Sequence, residues 1–272
     1  MINASIVTYH TPKQQLQTIM DILHHSPAIN RVEVIDNAQG INRGYGAAHN
    51  IAIRHTLEEG VKYHLVVNAD IRFEPEILDE IEHFMDTHHE VGSLMPKVVY
   101  PDGRLQYLCK LLPTPLDVFS RRFLPKCLIR KRNERYELRA SGYDRIMNIP
   151  YLSGCFMLLR ADALREVGLF DERFFMYPED IDLTRRIHRH FQTVFYPYVS
   201  IIHDHARGSY KSPKLLWIHI VNLCKYFNKW GWLVDHERTV VNQRVIVQYL
   251  PPANNNPQST LSIKGLLDYL TK

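Results

Sequence analysis

The chain has 272 residues, 45% of them hydrophobic and 11% aromatic, with 33 basic against 29 acidic side chains and a net charge of +4. That length allows one large α/β domain or two small ones, and the near-average apolar and charged fractions exclude a disordered, collagenous or coiled-coil chain. So small a basic excess excludes a dedicated nucleic-acid binder, and four scattered cysteines (Cys109, Cys127, Cys155, Cys224) without a CxxC pair suggest neither zinc nor disulfides but a reduced, cytosolic setting.

The N-terminal MINASIVTYH enters a strand-like run with no signal-peptide pattern. No stretch approaches the roughly 18 consecutive apolar residues of a membrane span, so a soluble protein is expected. A strand over 4–9 is followed by a helix whose Leu16, Ile19, Met20 and Leu23 share one face. Then come a strand over 32–35, a Gly-rich turn, a helix over 47–57 and a strand over 63–67. An amphipathic helix through Ile77, Leu78, Ile81, Phe84 and Met85 leads to a strand near 91–95. This alternation predicts a parallel sheet with helices on its faces, whose ligands sit at the carboxyl ends of the strands.

The middle, 101–149, holds Pro113, Pro115 and Pro125 and the basic run RRFLPKCLIRKRNERYELR. It reads either as a solvated insertion or as a contact for anionic headgroups or phosphorylated substrates, with Phe123, Leu124, Leu128 and Ile129 interleaved. Charge without an aromatic stacking platform argues against nucleic acid. Regular structure resumes with a strand-like run over 151–159, helices near 161–167 and 179–190, and a strand over 193–202. A helical segment through Trp217, Ile220, Val221 and Cys224 follows, then the linker PPANNNPQST and a short helix with Ile263, Leu266, Leu267 and Leu270 in one stripe.

Four polar clusters follow a strand or open a helix, so one crevice can collect them. Asn68-Ala69-Asp70 ends a strand, where a carboxylate can hold a hard cation or simply cap a helix. Asp36-Asn37 and the run from Asn42 to Asn50 supply Gly44 for close backbone approach and Arg43 for phosphate, although a plain turn would look the same. Pro178 opens a helix with Glu179, Asp180 and Asp182 in its first turn, which suits the helix dipole or a general base. His203-Asp204-His205 ends the last long strand, with two imidazoles on one face: metal ligands or a surface pair.

Together, IVTYH, VIDNAQGINRGYGAAHN, VVNAD, YLSGCFMLLRADALREVGLFDERFFMYPEDIDLTRRI and IIHDH resemble the family 2 glycosyltransferases of the GT-A fold, rhamnosyltransferase-like branch, over about residues 5–242. The resemblance implies a Rossmann-like three-layer α/β/α fold with a mostly parallel sheet. It implies a GT-A domain over 1–235, with a nucleotide-sugar half at 1–100 and an acceptor half at 101–205 that carries the basic insertion 119–139. A C-terminal helical extension over 206–250 and a linker with a short amphipathic helix over 251–272 complete the expected organisation.

The implied activity is inverting transfer of a sugar, rhamnose or another hexose, from a nucleotide diphosphate donor to a hydroxyl of a glycan or lipid-linked glycan in bacterial surface polysaccharide synthesis. The implied cofactor is Mg2+ or Mn2+. By the same resemblance, Thr8, Tyr9, Asp36, Asn37, Arg43, Gly44, Asn68, Ser153 and Gly154 line the nucleotide-sugar site. Asp70 and His203 meet the metal, with His205 as the alternative, and Asp180 is the base, supported by Glu179 and Asp182. Asn68 stands where a full DXD has its first acid, which leaves metal binding chiefly to Asp70. The implied location is the cytoplasm, with peripheral contact to anionic membrane at its inner face.

Two rivals are a sugar nucleotidyltransferase and a non-catalytic nucleotide-sugar or glycan binder. The first would carry a Gly-rich loop where Thr8-Tyr9-His10-Thr11-Pro12 stands, and the second would be expected to have lost Asp70, Asp180 or His203.

Overall fold

A computed structural model describes residues 1–204 and 213–252. His205 and the expected terminal helix lie outside the described residues, as does the linker beyond residue 252.

The first half follows the expected alternation: β1 (Ile2–Thr8), α1 (Lys13–His25), β2 (Ile29–Asp36), α2 (Tyr45–Glu58), β3 (Tyr63–Val67), the short β4 (Ile71–Arg72), α3 (Ile77–Thr87) and β5 (Val91–Val99). Two helices, α4 (Pro115–Phe123) and α5 (Lys126–Tyr136), occupy the basic insertion, which is therefore folded rather than a loose solvated loop. Its prolines start helices instead of breaking them. Pro115 sits just after Thr114, whose hydroxyl caps α4 in a reciprocal box with Asp117, and Pro125 precedes α5.

The remainder comprises β6 (Met147–Asn148), β7 (Phe156–Arg160), α6 (Ala161–Val167), α7 (Glu179–His188), β8 (Gln192–His203), α8 (Pro213–Trp230) and α9 (His236–Tyr249). The eight strands form one sheet in the order β2-β1-β3-β7-β5-β8-β4, with β6 also on β8. The long pairings β1–β2, β1–β3 and β5–β8 are parallel, so the sheet is mostly parallel by paired length. β7 is the longest exception, antiparallel to both β3 and β5, and the two-residue β4 and β6 also run antiparallel to β8. Simple βαβ alternation does not anticipate this, because β7 is reached through the long insertion and not through a crossover helix.

That reversal positions the site. Val67 at the end of β3 pairs with Phe156 at the start of β7, so Ser153-Gly154-Cys155 lie beside Asn68, whose N–H donates to the Cys155 carbonyl at 2.9 Å. β3 is buried along its whole length, and Ile6, Leu65, Leu94, Phe156 and Ile201 meet in the main core. A second anchor ties the C-terminal helices to α7. The buried Arg185 makes a two-pronged bond to Asp235, both arms at 2.8 Å, with its guanidinium 4.0 Å from the Trp230 ring centre. Among the described residues, no helix is long and apolar enough to cross a membrane.

Candidate active site

One end of the sheet collects the polar clusters. Thr8 pairs with Asp36 across β1 and β2, and its hydroxyl donates to Asp36 Oδ1 at 3.2 Å. The buried Asn37 closes the next loop, donating from Nδ2 to the Gly44 carbonyl at 2.9 Å and accepting the Arg43 N–H at 3.4 Å. Gly44 has φ +85°, and the Tyr45 N–H donates to the Phe175 carbonyl at 2.9 Å, which fastens this loop to the segment entering α7. Tyr9 and Arg43 remain exposed at the same strand ends, suited to stacking and to phosphate respectively.

Tyr45 links this loop to the centre. Its hydroxyl lies 2.7 Å from the Gly154 carbonyl and 2.9 Å from Asn68 Oδ1. The Gly154 N–H in turn donates to Asp180 Oδ2 at 3.0 Å, and the Ile181 N–H to Asp180 Oδ1 at 2.8 Å. Glu179 and Asp180 are both buried, and Glu179 Oε2 has no hydrogen-bond partner among the described residues. Burial pushes the Asp180 carboxyl up to about 6, against the Gly154 N–H and the Lys110 charge, which pull it down. Burial and the neighbouring Asp180 push Glu179 well above the carboxylate range. The backbone before them is strained: Tyr177 has φ +91°, which is rare for a bulky residue.

Lys110 approaches the same centre through its bridge to Tyr151. Its N–H donates to the Tyr151 carbonyl at 3.0 Å, and its ammonium stands 4.9 Å from the Tyr151 ring centre. Burial and Arg121 lower the Lys110 pKa, while Asp180 supports its charge.

A third corner joins β4 to β8. Ile71 pairs with His203, which brings His203 Nε2 to 3.4 Å from Asp70 Oδ2. Gln106 donates from Nε2 to the His203 carbonyl at 2.8 Å, leaving its Oε1 to accept from His203 Nδ1 at 3.0 Å. That assigns the Nδ1 proton and aims Nε2 at Asp70. Burial lowers the His203 pKa, but Asp70 and the adjacent Cys155 outweigh it and bring it to about 10.

As it stands this is an imidazolium–carboxylate pair; once Nε2 gives up its proton, the imidazole nitrogen and the Asp70 oxygen, 3.4 Å apart, would fit a divalent cation. No group of three or more His, Cys, Asp or Glu is assembled among the described residues, so phosphate oxygens and water would have to complete the shell.

The fold thus connects Asn68, Gly154 and Asp180 through Tyr45 and backbone bonds, and it joins Asp70 to His203. Ser153 is half-buried on the same loop. Asp182 is not brought to this centre. Fully buried, it accepts from Arg186 Nε (2.9 Å) and Trp230 Nε1 (2.8 Å) and pairs with Lys229 Nζ (2.6 Å). Two residues along a helix from Asp180, it points to the opposite side. Tyr45, Gln106, Lys110 and Tyr151 escape the sequence reading. Tyr45 stands inside the Gly44–Gly46 turn, whereas Lys110 and Tyr151 become neighbours only through a bridge 41 positions apart.

No family model matches the chain. It is 28% identical over 189 residues to an N-acetylglucosaminyl-diphospho-decaprenol L-rhamnosyltransferase of Mycobacterium tuberculosis, covering 64% of this chain and 60% of that one. The chain therefore spans less than two thirds of the curated relatives it matches. Among solved structures, S. aureus TarS 1–349 superposes with TM-score 0.53 at 13% identity, over 99% of this chain and 78% of that one. GalNAc-T7 with UDP, GalNAc and Mn2+ superposes with TM-score 0.50 at 12% identity, over 74% of this chain and 43% of that one. The chain has the GT-A fold, and over 64% of its length it is similar in sequence to a rhamnosyltransferase.

Proposed function

We propose that the chain is an inverting glycosyltransferase that moves a sugar, rhamnose or another hexose, from a nucleotide diphosphate donor to a hydroxyl of a glycan or lipid-linked glycan. The observation that carries this reading is Asp180: a buried carboxylate held by two backbone N–H groups, with a pKa raised to about 6, at the crevice end of the sheet. The acceptor named for the relative, N-acetylglucosaminyl-diphospho-decaprenol, supports the acceptor class.

In this reading Thr8, Tyr9, Asp36, Asn37, Arg43 and Gly44 receive the nucleotide. Asn68, Ser153 and Gly154 border the sugar. The acceptor enters from the side of Lys110 and Tyr151. Asp180 takes the hydroxyl proton while the acceptor oxygen bonds to the anomeric carbon from the face opposite the diphosphate, which leaves with the electron pair of the broken bond. Burial and the neighbouring Asp180 favour the neutral form of Glu179, which limits the negative charge beside the base. Asp70 and His203 would hold Mg2+ or Mn2+, which supplies Lewis-acid stabilisation of charge on the leaving diphosphate.

The test is calorimetric titration with UDP-, dTDP- and GDP-sugars, with Mn2+ present and then chelated, followed by turnover with a lipid-linked acceptor. Metal-dependent binding of one donor and product of inverted configuration support the reading. Binding without turnover by any acceptor favours the non-catalytic rival.

A further inference from the structure

The helical pair α4–α5 holds more positive charge than the chain as a whole. Residues 115–136 contain seven Lys or Arg and two Asp or Glu, against a net charge of +4 for all 272 residues. The acids do not neutralise this excess. Asp117 is taken by Arg132 at 2.7 Å, and Glu134 lies 3.7 Å from Arg130. The side chains of Lys131 and Arg135 have no ion pair or hydrogen bond among the described residues.

The charge has a direction. Leu128, Lys131 and Arg135 stand at i, i+3 and i+7 along one face of α5, while Ile129 and Tyr136 are buried beneath. Leu128 is 56% exposed, and Leu124, at the turn between the two helices, 42%. Between α5 and α9 runs a cleft of about 490 Å³, lined by Lys131, Arg132, Arg135, Tyr136, Gln243 and Ile246 among others. The turn into α9 adds Leu233 and Val234, 89% and 88% exposed. Arg238 ties this turn to the foot of α4, donating to the Pro113 carbonyl at 3.3 Å and to the Leu233 carbonyl at 3.4 Å.

We propose that this face docks onto an anionic phospholipid bilayer. Lys131 and Arg135 engage lipid phosphates at the mouth of the cleft, and Leu124 and Leu128 enter the boundary between headgroups and acyl chains. Charge complementarity selects the partner, because unpaired cations beside exposed leucines are what an interfacial membrane contact needs. Leu124 stands at the turn and Leu128 on the first turn of α5, both projecting and not in a concave apolar groove, which suits insertion into fluid lipid better than docking of a protein helix.

The surface adjoins the proposed acceptor side. Leu111, on the cleft wall, donates its N–H to the Tyr136 carbonyl at 3.0 Å, and its neighbour Lys110 turns to Tyr151. In that respect the inference rests on the lipid-linked acceptor reading, but its test needs neither donor nor acceptor.

The experiment is co-sedimentation of the whole chain with protein-free vesicles of phosphatidylglycerol and phosphatidylcholine mixtures, against pure phosphatidylcholine. Binding is expected only with phosphatidylglycerol and should weaken as salt rises. The K131E/R135E variant should bind more than about tenfold more weakly with an unchanged melting temperature. The L124D/L128D variant should also lose binding while keeping its melting temperature. Equal binding of K131E/R135E and the parent chain, or equal binding to both lipids, overturns the proposal. So does retention only on protein-containing membranes in a protease-sensitive way, which would identify a protein partner instead.

Discussion

The backbone N–H of Gly154 donates to Asp180 Oδ2 at 3.0 Å, joining the start of β7 to the first turn of α7. The contact is close: a Cβ on residue 154 would stand 3.0 Å from Asp180 Cβ. Together with the Ile181 N–H on the other oxygen, it fixes the carboxylate by main-chain groups alone, so the orientation of Asp180 is set by the fold. Both bonds favour the ionised form and burial opposes it, which is how the group comes to titrate near neutrality.

Asp180→Asn should therefore abolish chemistry and spare recognition. Turnover is expected to fall by about 10²–10⁴, the usual contribution of a positioned general base, with donor affinity within about twofold of the parent. Steady-state kinetics and calorimetric donor titration check the two halves separately. Loss of donor binding in a folded variant would make Asp180 a binding residue.

The same group gives a pH signature. Activity should decline as pH falls through about 6, as the base becomes protonated. For stability the sign is opposite. A carboxyl raised from 3.8 to about 6 in the folded state binds its proton more tightly there, so its favourable contribution is full below pH 3.8 and lost as pH rises through 6. Asp180→Asn removes this penalty. Its melting temperature should exceed the parent's at pH 8, with the gain shrinking toward pH 4. A gain independent of pH would contradict the assignment.

The strand ends that build the site were legible because each carries an acid, amide or imidazole directly after an apolar run: Asp36-Asn37, Asn68 to Asp70, and His203. The Glu179-Asp180 turn was legible for the same reason, with Pro178 marking its helix start. The reversed direction of β7 was not, since a buried strand reads alike in either sense. Nor were α4 and α5, where prolines and charge mask helices that capping and ion pairs sustain. Gln106 and Lys110 carry no local pattern, and only the tertiary structure brings them to His203 and Tyr151.

Asp182 separates a structural acid from a chemical one. Its carboxylate is fully buried against Arg186, Lys229 and Trp230, so Asp182→Ala leaves Arg186 without its carboxylate partner and Lys229 with Asp171 alone. Breaking a buried pair in this way costs about 3–5 kcal/mol. A lower urea midpoint is expected, while the folded fraction keeps turnover within about threefold. A hundredfold loss of turnover at unchanged stability would instead return Asp182 to the chemistry.

Gly44 tests whether the donor loop depends on its contact with the segment before α7. Its φ is +85°, and a Cβ there would meet the Phe175 carbonyl oxygen at 2.2 Å. Gly40 has a similar φ of +77° but open space around its would-be Cβ, which makes it the internal control. Gly40→Ala should cost only the left-handed strain, roughly 1–2 kcal/mol. Gly44→Ala must also push Phe175 away and break the Tyr45 N–H bond to it at 2.9 Å, which carries Tyr45 off Asn68 and Gly154. It should destabilise the fold by more than the control and weaken donor binding at least about tenfold, the equivalent of 1.4 kcal/mol. Equal effects of the two substitutions on donor affinity would show that backbone strain alone, and not the link to Phe175, sets the loop.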